Sequence, residues 1–371
     1  MLEHIARRVT FAFAGPLQSR GRLLKQIATL QKVGVDCDVV LGDTSASAPR
    51  TPEFNFPIVR IPVDIENGQM RSFVQTLRFC RRASRLIAAS QADTVVCLGL
   101  GALMAGKWAK SIRPEIKLIF DNNELQIESI SSSRKKLIWG MIHNHGVRSC
   151  DIIIHAEGNR MRYFKERYPG SDKPQEVIEN FPFLRREHVE RTRTEEVKVV
   201  YLGGFGSERF TEEIIDSFAK LPARMKLDII GFGRSEYVAR VKRRIEELGA
   251  TNVRLLPEVP HARIPEVLAE YHIGLAFYRN TNLNNYYCAP NKVYDYLMNG
   301  IPIITNAYPG LLDVIAKHRV GVCVDEVDAE SIGGAIAAIE SGRLWENITL
   351  DLKQKYCWEA QEAKYLRLFG H

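Results

Sequence analysis

Short β-branched and aromatic runs alternate with amphipathic helical stretches along the whole chain, which confines it to parallel sheets covered by helices. In the first half the strand candidates are Val9–Ala14, Asp38–Leu41, Ile58–Ile61, Thr94–Leu98, Lys117–Asp121 and Asp151–His155, with helical patterns such as Arg22–Lys32 and Phe73–Ala89 between them. In the second half they are Lys198–Leu202, Lys226–Ile230, Val253–Leu255, Ile273–Ala276, Ile303–Thr305 and Gly321–Val324. Their helices are Thr211–Lys220, Glu236–Leu248, Ile264–Tyr271, Lys292–Met298 and Ser331–Glu340. Each half therefore reads as its own doubly wound α/β domain. Phe181-Pro182-Phe183 leads into a charged stretch with little apolar periodicity. The expected division is residues 1–184, a linker over 185–196, a second domain over 197–355, and a closing segment over 356–371. Tyr356–Phe369 of that segment reads as one amphipathic helix carrying Trp358, Tyr365, Leu366 and Phe369. Two such domains would face each other across a cleft, and open parallel sheets bind ligands beyond the carboxyl ends of their strands.

Composition narrows the function classes. With 371 residues, 45% of them apolar, the chain buries two cores without staples. Its seven cysteines are odd in number, scattered and free of Cys-x-x-Cys, which argues against a zinc ribbon or a disulfide framework and for a reducing cytoplasm. The longest weakly polar run, Val95–Gly106, falls short of the roughly 20 residues a membrane-spanning helix needs. Val9–Ala14 is too short for a leader core and reads as the first strand. The net charge of +7 is uneven: residues 1–180 hold 26 Lys+Arg against 18 Asp+Glu, and the remainder is close to neutral. Arg71, Arg78, Arg81, Arg82 and Arg85, with Arg134–Lys136, form the main basic clusters. They face either solvent or an anionic partner such as phospholipid headgroups, a lipid pyrophosphate or nucleic acid.

Several motifs carry less than their spelling suggests. Gly101 to Lys107 fits Gly-x4-Gly-Lys, but Trp108 stands where a phosphate loop needs a hydroxyl, so close helix–sheet packing explains the glycines better. Gly231-Phe-Gly233 lacks the third glycine of a dinucleotide fingerprint. His143-Asn144-His145 has no companion ligand cluster and reads as a surface or cleft-lining pair before it reads as a metal site. The basic residues lack an interleaved aromatic platform, so no nucleic-acid partner is expected.

The stretch from Tyr286 to Thr305 is the informative one. Pro290 marks a turn, Asn291 can cap, and Lys292 then falls in the first turn of a short helix. Free backbone N–H groups and an ammonium at such a helix start suit a phosphate. Asp295 lies three residues on, on nearly the same face, where a carboxylate either accepts the hydroxyls of a ribose or pairs with Lys292. Phosphate donors beside a diol-binding acid are what a nucleotide diphosphate sugar requires.

With these residues the chain resembles the GT-B-fold glycosyltransferases, closest to retaining glycosyltransferase family four. Pro290-Asn-Lys292, Asp295-Tyr296 and Gly300-Ile-Pro302 are similar to the Pro-x-Lys…Glu-Tyr…Gly-x-Pro signature of one branch. Leu202-Gly203 through Leu221 looks like the glycine turn and first helix of the donor domain, Ile229–Gly233 like its second glycine turn, and Asn252–Pro260, with Glu258 and Val259, like the loop beside the base. Asp121-Asn-Asn-Glu124 resembles the Asp-x-His-Glu segment, Val177–Asn180 the run before the linker, and Trp358 the start of a helix crossing back to the first domain. The family pairs two glutamates with seven residues between them; here Tyr287 and Asp295 take their places. Gly204 stands for the usual Arg, Arg209 for the usual Lys, and Asn123 for the usual His.

The resemblance implies an acceptor-side first domain and a donor-binding second one. Arg209 and Lys292 would hold and stabilise the departing diphosphate, with Gly203, Gly204, Glu258, Val259, Tyr287, Asn291 and Asp295 around the donor. Gly15, Gly21 and Asn123 would face the diphosphate and acceptor from the first domain. Transfer is expected to be metal-independent and retaining, with no cofactor beyond the donor and UDP as its base; an inverting reaction would need Glu124 or Glu128 as base. The expected acceptor is a hydroxyl of a glycan or lipid-linked glycan in surface polysaccharide assembly. The expected location is cytoplasmic, with the basic first domain resting on the anionic inner face of the plasma membrane. The alternatives are a catalytically weak partner subunit and a sugar-nucleotide epimerase of the same fold.

Overall fold

The computed structural model describes residues 5–371 apart from residue 16 and residues 18–20, 44–53, 67–68, 71–72, 131, 169–171, 188–194 and 289. Arg71 and most of the expected linker thus lie outside the described residues. The chain forms two compact units, Met1–Asn180 with Gln361–His371, and Phe181–Ala360.

In the first unit, β1 (Arg8–Ala14), β2 (Asp36–Asp43), β3 (Ile58–Pro62), β6 (Thr94–Leu98), β7 (Lys117–Asn122), β8 (Ile152–His155) and β9 (Gln175–Val177) make a parallel sheet. Its order is β3-β2-β1-β6-β7-β8-β9, and the two-residue strands β4 (Ile65–Glu66) and β5 (Gln69–Met70) pair separately and antiparallel. Every residue of β6 is buried, as a central strand covered on both faces must be. Helix Leu100–Ile112 lies close over it: a Cβ at Gly106 would stand 2.4 Å from Cys97 Sγ and 2.6 Å from Leu118 Cδ1. That glycine serves helix–sheet packing.

Two expectations in this unit are corrected. His143 is no surface residue; it is buried in helix Ser133–Ser149 with its ring 4.6 to 6.1 Å from those of Phe120, Phe164 and Tyr168, while His145 is exposed. Nor is Tyr356–Phe369 one helix: the chain turns at Trp358, which is fully buried and donates its N–H to the Pro182 carbonyl (2.8 Å), and the last helix is Glu359–Arg367. From Gln361 onward it packs within the first unit, where the Lys364 ammonium donates to the Val177 carbonyl (2.6 Å) and Glu362 accepts from Thr29 (3.0 Å).

The second unit repeats the plan with β10 (Val197–Leu202), β11 (Met225–Ile230), β12 (Val253–Leu256), β13 (Ile273–Ala276), β14 (Ile303–Asn306) and β15 (Gly321–Val324), all parallel, in the order β12-β11-β10-β13-β14-β15. Strand order reverses between β10 and β13, which opens a crevice at their carboxyl ends. The helix expected over Ile264–Tyr271 is shorter, Ile264–Leu268.

Candidate functional site

The crevice of the second unit is built around helix Asn291–Met298. Tyr296 anchors it. The phenol oxygen accepts the Leu202 N–H (2.9 Å) and lies 3.3 Å from the carbonyls of Val200 and Leu275, bridging β10 and β13 where they part. Gly274 makes the room, since a Cβ there would stand 2.4 Å from the Tyr296 ring. Pro290, not Asn291, occupies the cap position, with extended backbone (φ −75°, ψ 133°) and a carbonyl that accepts the Val293 N–H (3.0 Å). A proline there already has a backbone angle suited to starting the helix. Asn291 is the first helical residue, and it is exposed.

Lys292 sits one turn before Tyr296, on the same face, and reaches the end of β10. Its Nζ is 3.7 Å from the centroid of the Tyr201 ring and 5.8 Å from that of Tyr278. Gly203 (φ +101°) turns the chain beside it, and a Cβ there would lie 3.9 Å from Lys292 Cε. The ammonium nitrogen is buried and makes no hydrogen bond. Burial, reinforced by the Arg209 charge and opposed by Cys288, holds its pKa well below the ordinary lysine value.

Arg209 comes from the 3-10 turn Ser207–Arg209 that follows β10; the helix proper starts at Thr211, so Arg209 is no helix-start residue. Its guanidinium carbon stands 4.3 Å from the Tyr278 ring centroid. It donates to the Glu208 carbonyl (3.1 Å) and to Oδ1 of Asn285 (3.4 Å), a buried side chain whose amide in turn donates to Glu208 Oε2 (3.1 Å). Arg279 fixes the turn from the far side, its backbone N–H on the Glu208 carbonyl (3.0 Å) and its Nε on that of Ser207 (2.7 Å). Among the described residues, then, neither cation is neutralised by a carboxylate. Two cations converging at the start of a helix are an arrangement suited to an anion with two charged centres.

The other expected donor residues surround this pair less closely. Gly204 takes no positive φ, and its carbonyl accepts the Tyr201 hydroxyl (2.9 Å). Asp295 is half-buried and makes no hydrogen bond with Lys292, which removes the reading of the two as a surface pair. Tyr287 caps the short helix Leu283–Tyr286 with its ring 4.9 Å from that of Tyr286. Glu258 is exposed after β12, and Val259 packs on the core with Leu256 and Ile264.

In the first unit, Gly15 (φ +132°) donates its N–H to the Gly42 carbonyl (2.9 Å), and Gly21 opens helix Gly21–Lys32 with nothing within 4 Å of a would-be Cβ. Asn123 gives its carbonyl to the Arg160 guanidinium (2.5 Å), while its Oδ1 is buried with no partner. Glu124 is exposed. Glu128 is a poor candidate base: burial raises its carboxyl, but Lys136 (2.6 Å), Tyr163 and Arg167 together outweigh burial and hold it below the usual range. Asp121 is taken by structure: fully buried, it accepts from Arg22 Nε (3.0 Å), Arg22 Nη2 (2.9 Å) and Gln26 Nε2 (2.7 Å). Among the described residues no three His, Cys, Asp or Glu side chains gather to hold a metal.

Sequence reasoning passed over Tyr201, Tyr278 and Asn285. The first two lie in apolar runs that read as core. Their one signal is an aromatic hydroxyl at or just past a strand's carboxyl end, Tyr201 beside a glycine turn.

Residues 184–355 match the family described as Glycosyl transferases group 1, and this span lies within the second unit. The chain carries a glycosyltransferase domain. Solved glycosyltransferases share the architecture of both units: sucrose-phosphate synthase of Thermosynechococcus elongatus superposes with a TM-score of 0.74 at 14% identity, covering 98% of each chain. HepE of Anabaena, in complex with UDP and glucose, gives 0.72 at 13% identity over 98% of this chain and 99% of its own. The lipopolysaccharide outer core galactosyltransferase WaaB gives 0.72 at 13% identity over 98% and 100%. No curated protein matches the chain in sequence. The fold is that of the GT-B glycosyltransferases, and the chain is an enzyme of the glycosyltransferase class.

Proposed function

We propose that this glycosyltransferase moves a sugar from a nucleotide diphosphate sugar to a hydroxyl of a glycan or lipid-linked glycan. The observation that carries the reading is the pair Arg209 and Lys292, two cations without a carboxylate partner among the described residues, at the switch point of the second unit. A diphosphate supplies the charge they lack, and Asp295 on the same helix suits the ribose hydroxyls. In the transfer, the bond between the anomeric carbon and the diphosphate oxygen breaks, and the nucleoside diphosphate leaves with the electron pair. The acceptor oxygen then bonds the anomeric carbon, and its proton passes to the departing phosphate, which suits retention of configuration. The cations stabilise charge as it develops on the leaving group. No cofactor beyond the donor enters this scheme, and UDP, bound in the HepE structures, is the base we favour.

We place the acceptor side on an anionic lipid surface. Arg78, Arg81, Arg82 and Arg85 are all exposed on helix Phe73–Ala89, where their spacing sets them in one stripe. Phe73 and Val74 of that helix are exposed, as are Leu137, Ile138 and Met141 of helix Ser133–Ser149, and Phe73 meets Trp139 edge-on at 6.1 Å. Exposed apolar side chains together with an arginine stripe suit the boundary of an anionic bilayer. Among the described residues no helix is long and apolar enough to cross a membrane, so the contact would be peripheral.

Thermal shift against UDP-, GDP-, ADP- and dTDP-sugars tests the donor reading, with Lys292→Ala and Asp295→Ala beside the wild type. One donor should raise the melting temperature, and both variants should lose that shift. A wild type indifferent to every donor would sink the reading.

A further inference from the structure

We propose that Tyr278 is a positioning residue for the transfer: its ring holds Arg209 and Lys292 convergent while no anion lies between them. The proposal rests on that pair being the diphosphate site. Two like charges in a water-poor crevice repel, and among the described residues no carboxylate holds either one. What they share is the Tyr278 ring, whose centroid is 4.3 Å from the guanidinium carbon and 5.8 Å from the ammonium nitrogen. The Tyr201 ring takes the ammonium more closely, at 3.7 Å. A ring face attracts a cation without cancelling its charge. A carboxylate in the same place would hold the pair just as firmly and leave nothing for a diphosphate to neutralise.

Tyr278 is also fixed by more than packing. It lies two residues past the end of β13, at the strand-order reversal. Its N–H donates to Asn306 Oδ1 at the end of β14 (2.7 Å), and its carbonyl accepts the Tyr308 hydroxyl (2.8 Å). Two side chains from one neighbouring segment thus set the backbone on either side of the ring. Burial pushes the phenols of Tyr201 and Tyr278 well up, so both faces stay neutral. The groups that bear on Lys292 are Arg209, Cys288 and these two rings.

The test measures binding of inorganic pyrophosphate and of UDP, by calorimetry across pH, to wild type, Tyr278→Phe and Tyr278→Leu. The Phe variant keeps the face and should retain affinity. The Leu variant should bind both ligands about thirtyfold more weakly, the size of one desolvated cation–π contact of about 2 kcal/mol. As pH rises, its binding should also fade earlier than that of wild type, because an ammonium without the ring gives up its proton sooner. If the Leu variant does not fold, phenylalanines carrying one, two and three fluorines at position 278 replace it, and affinity should fall with each fluorine. Equal binding by Leu and wild type, equal loss in Phe and Leu, or a flat fluorine series would overturn the proposal. A wild type that binds pyrophosphate but not UDP would refute the nucleotide-sugar reading and leave the pyrophosphate arm to decide the role of Tyr278. One that binds neither would overturn both.

Discussion

Lys292→Met should make the ligand-free protein more stable and its anion site useless. The ammonium is buried with no hydrogen-bond partner, an arrangement that costs about 1–3 kcal/mol relative to an apolar group of the same shape. Against this stands its contact with the Tyr201 ring at 3.7 Å, worth roughly 0.5–2 kcal/mol when the nitrogen is charged. Arg209 tips the balance, because its charge and burial together push Lys292 toward the neutral form, which the ring holds less well. Methionine keeps the length and removes the penalty, for a net gain of about 1 kcal/mol, or some 2–4 °C in the melting of a unit of this size. The sign with pH follows. A lysine whose folded pKa lies below its unfolded one makes stability rise with pH between the two values. The advantage of the variant is therefore widest at low pH and closes as pH rises toward the unfolded lysine value of about 10.4. Differential scanning calorimetry of both proteins, with and without pyrophosphate, reads all of this. A variant that melts below wild type without ligand at every pH, or one that keeps the pyrophosphate shift, would refute the account of Lys292 as an ammonium held open for an anion.

Three further outcomes are expected. Burial, the main cause, lowers His143 and His155 to about 4, so both are neutral in the fold and protonated in the unfolded chain between there and about 6.5. Stability should fall as pH drops through that window, by up to ~3 kcal/mol for each ring, and urea midpoints at pH 7 and 4.5 that coincide would contradict it. Asp121→Ala strands the Arg22 guanidinium in the core of the first unit and should cost about 3–5 kcal/mol in urea unfolding. Leu137→Ser with Met141→Ser should lower sedimentation with anionic vesicles about tenfold or more, since a buried side chain of this kind is worth about 1.5–3 kcal/mol; binding that depends on salt alone, unchanged in the double variant, would point to the arginines without insertion.

The strands of both sheets were legible because β-branched runs bounded by turns have few other folds, and their ends differ from expectation by one or two residues, as fraying ends do. β9 was not, since Gln175-Glu-Val177 carries no apolar pattern; it is a strand because β8 offers it an edge and Gln175 Oε1 meets the buried His155 Nε2 at 3.0 Å. Helix Ser133–Ser149 escaped for the opposite reason: Leu137, Ile138 and Met141 face outward and spoil its amphipathic period. At the site, the spacing from Pro290 to Asp295 marked Lys292, and the family resemblance marked Arg209, which stands where the family keeps a Lys. Tyr201 and Tyr278 stayed hidden because an aromatic in an apolar run looks like core whether or not a cation sits on its face. That Lys292 Nζ finds no hydrogen-bond partner among the described residues is a fact of three dimensions, and no local pattern encodes it.

The two units place a buried cation in comparable surroundings and treat it oppositely. Both sheets carry the order third, second, first, fourth, fifth, sixth, with the first unit adding β9 at the edge. In the first, Arg22, on the helix that follows β1, is met at the end of β7 by a fully buried Asp121 in a two-pronged ion pair, and its remaining nitrogen Nη1 reaches the Ile178 carbonyl at 2.5 Å. In the second, Lys292 reaches the end of β10 and, among the described residues, meets ring faces, a second cation and the Cys288 thiol but no carboxylate. A buried charge left uncompensated is unfavourable unless something outside the chain compensates it. The fold could close the second crevice as it closed the first, with one carboxylate. Among the described residues no such carboxylate stands beside Arg209 and Lys292, which is why we propose anion binding in the second unit, while Arg22 of the first holds its own sheet together.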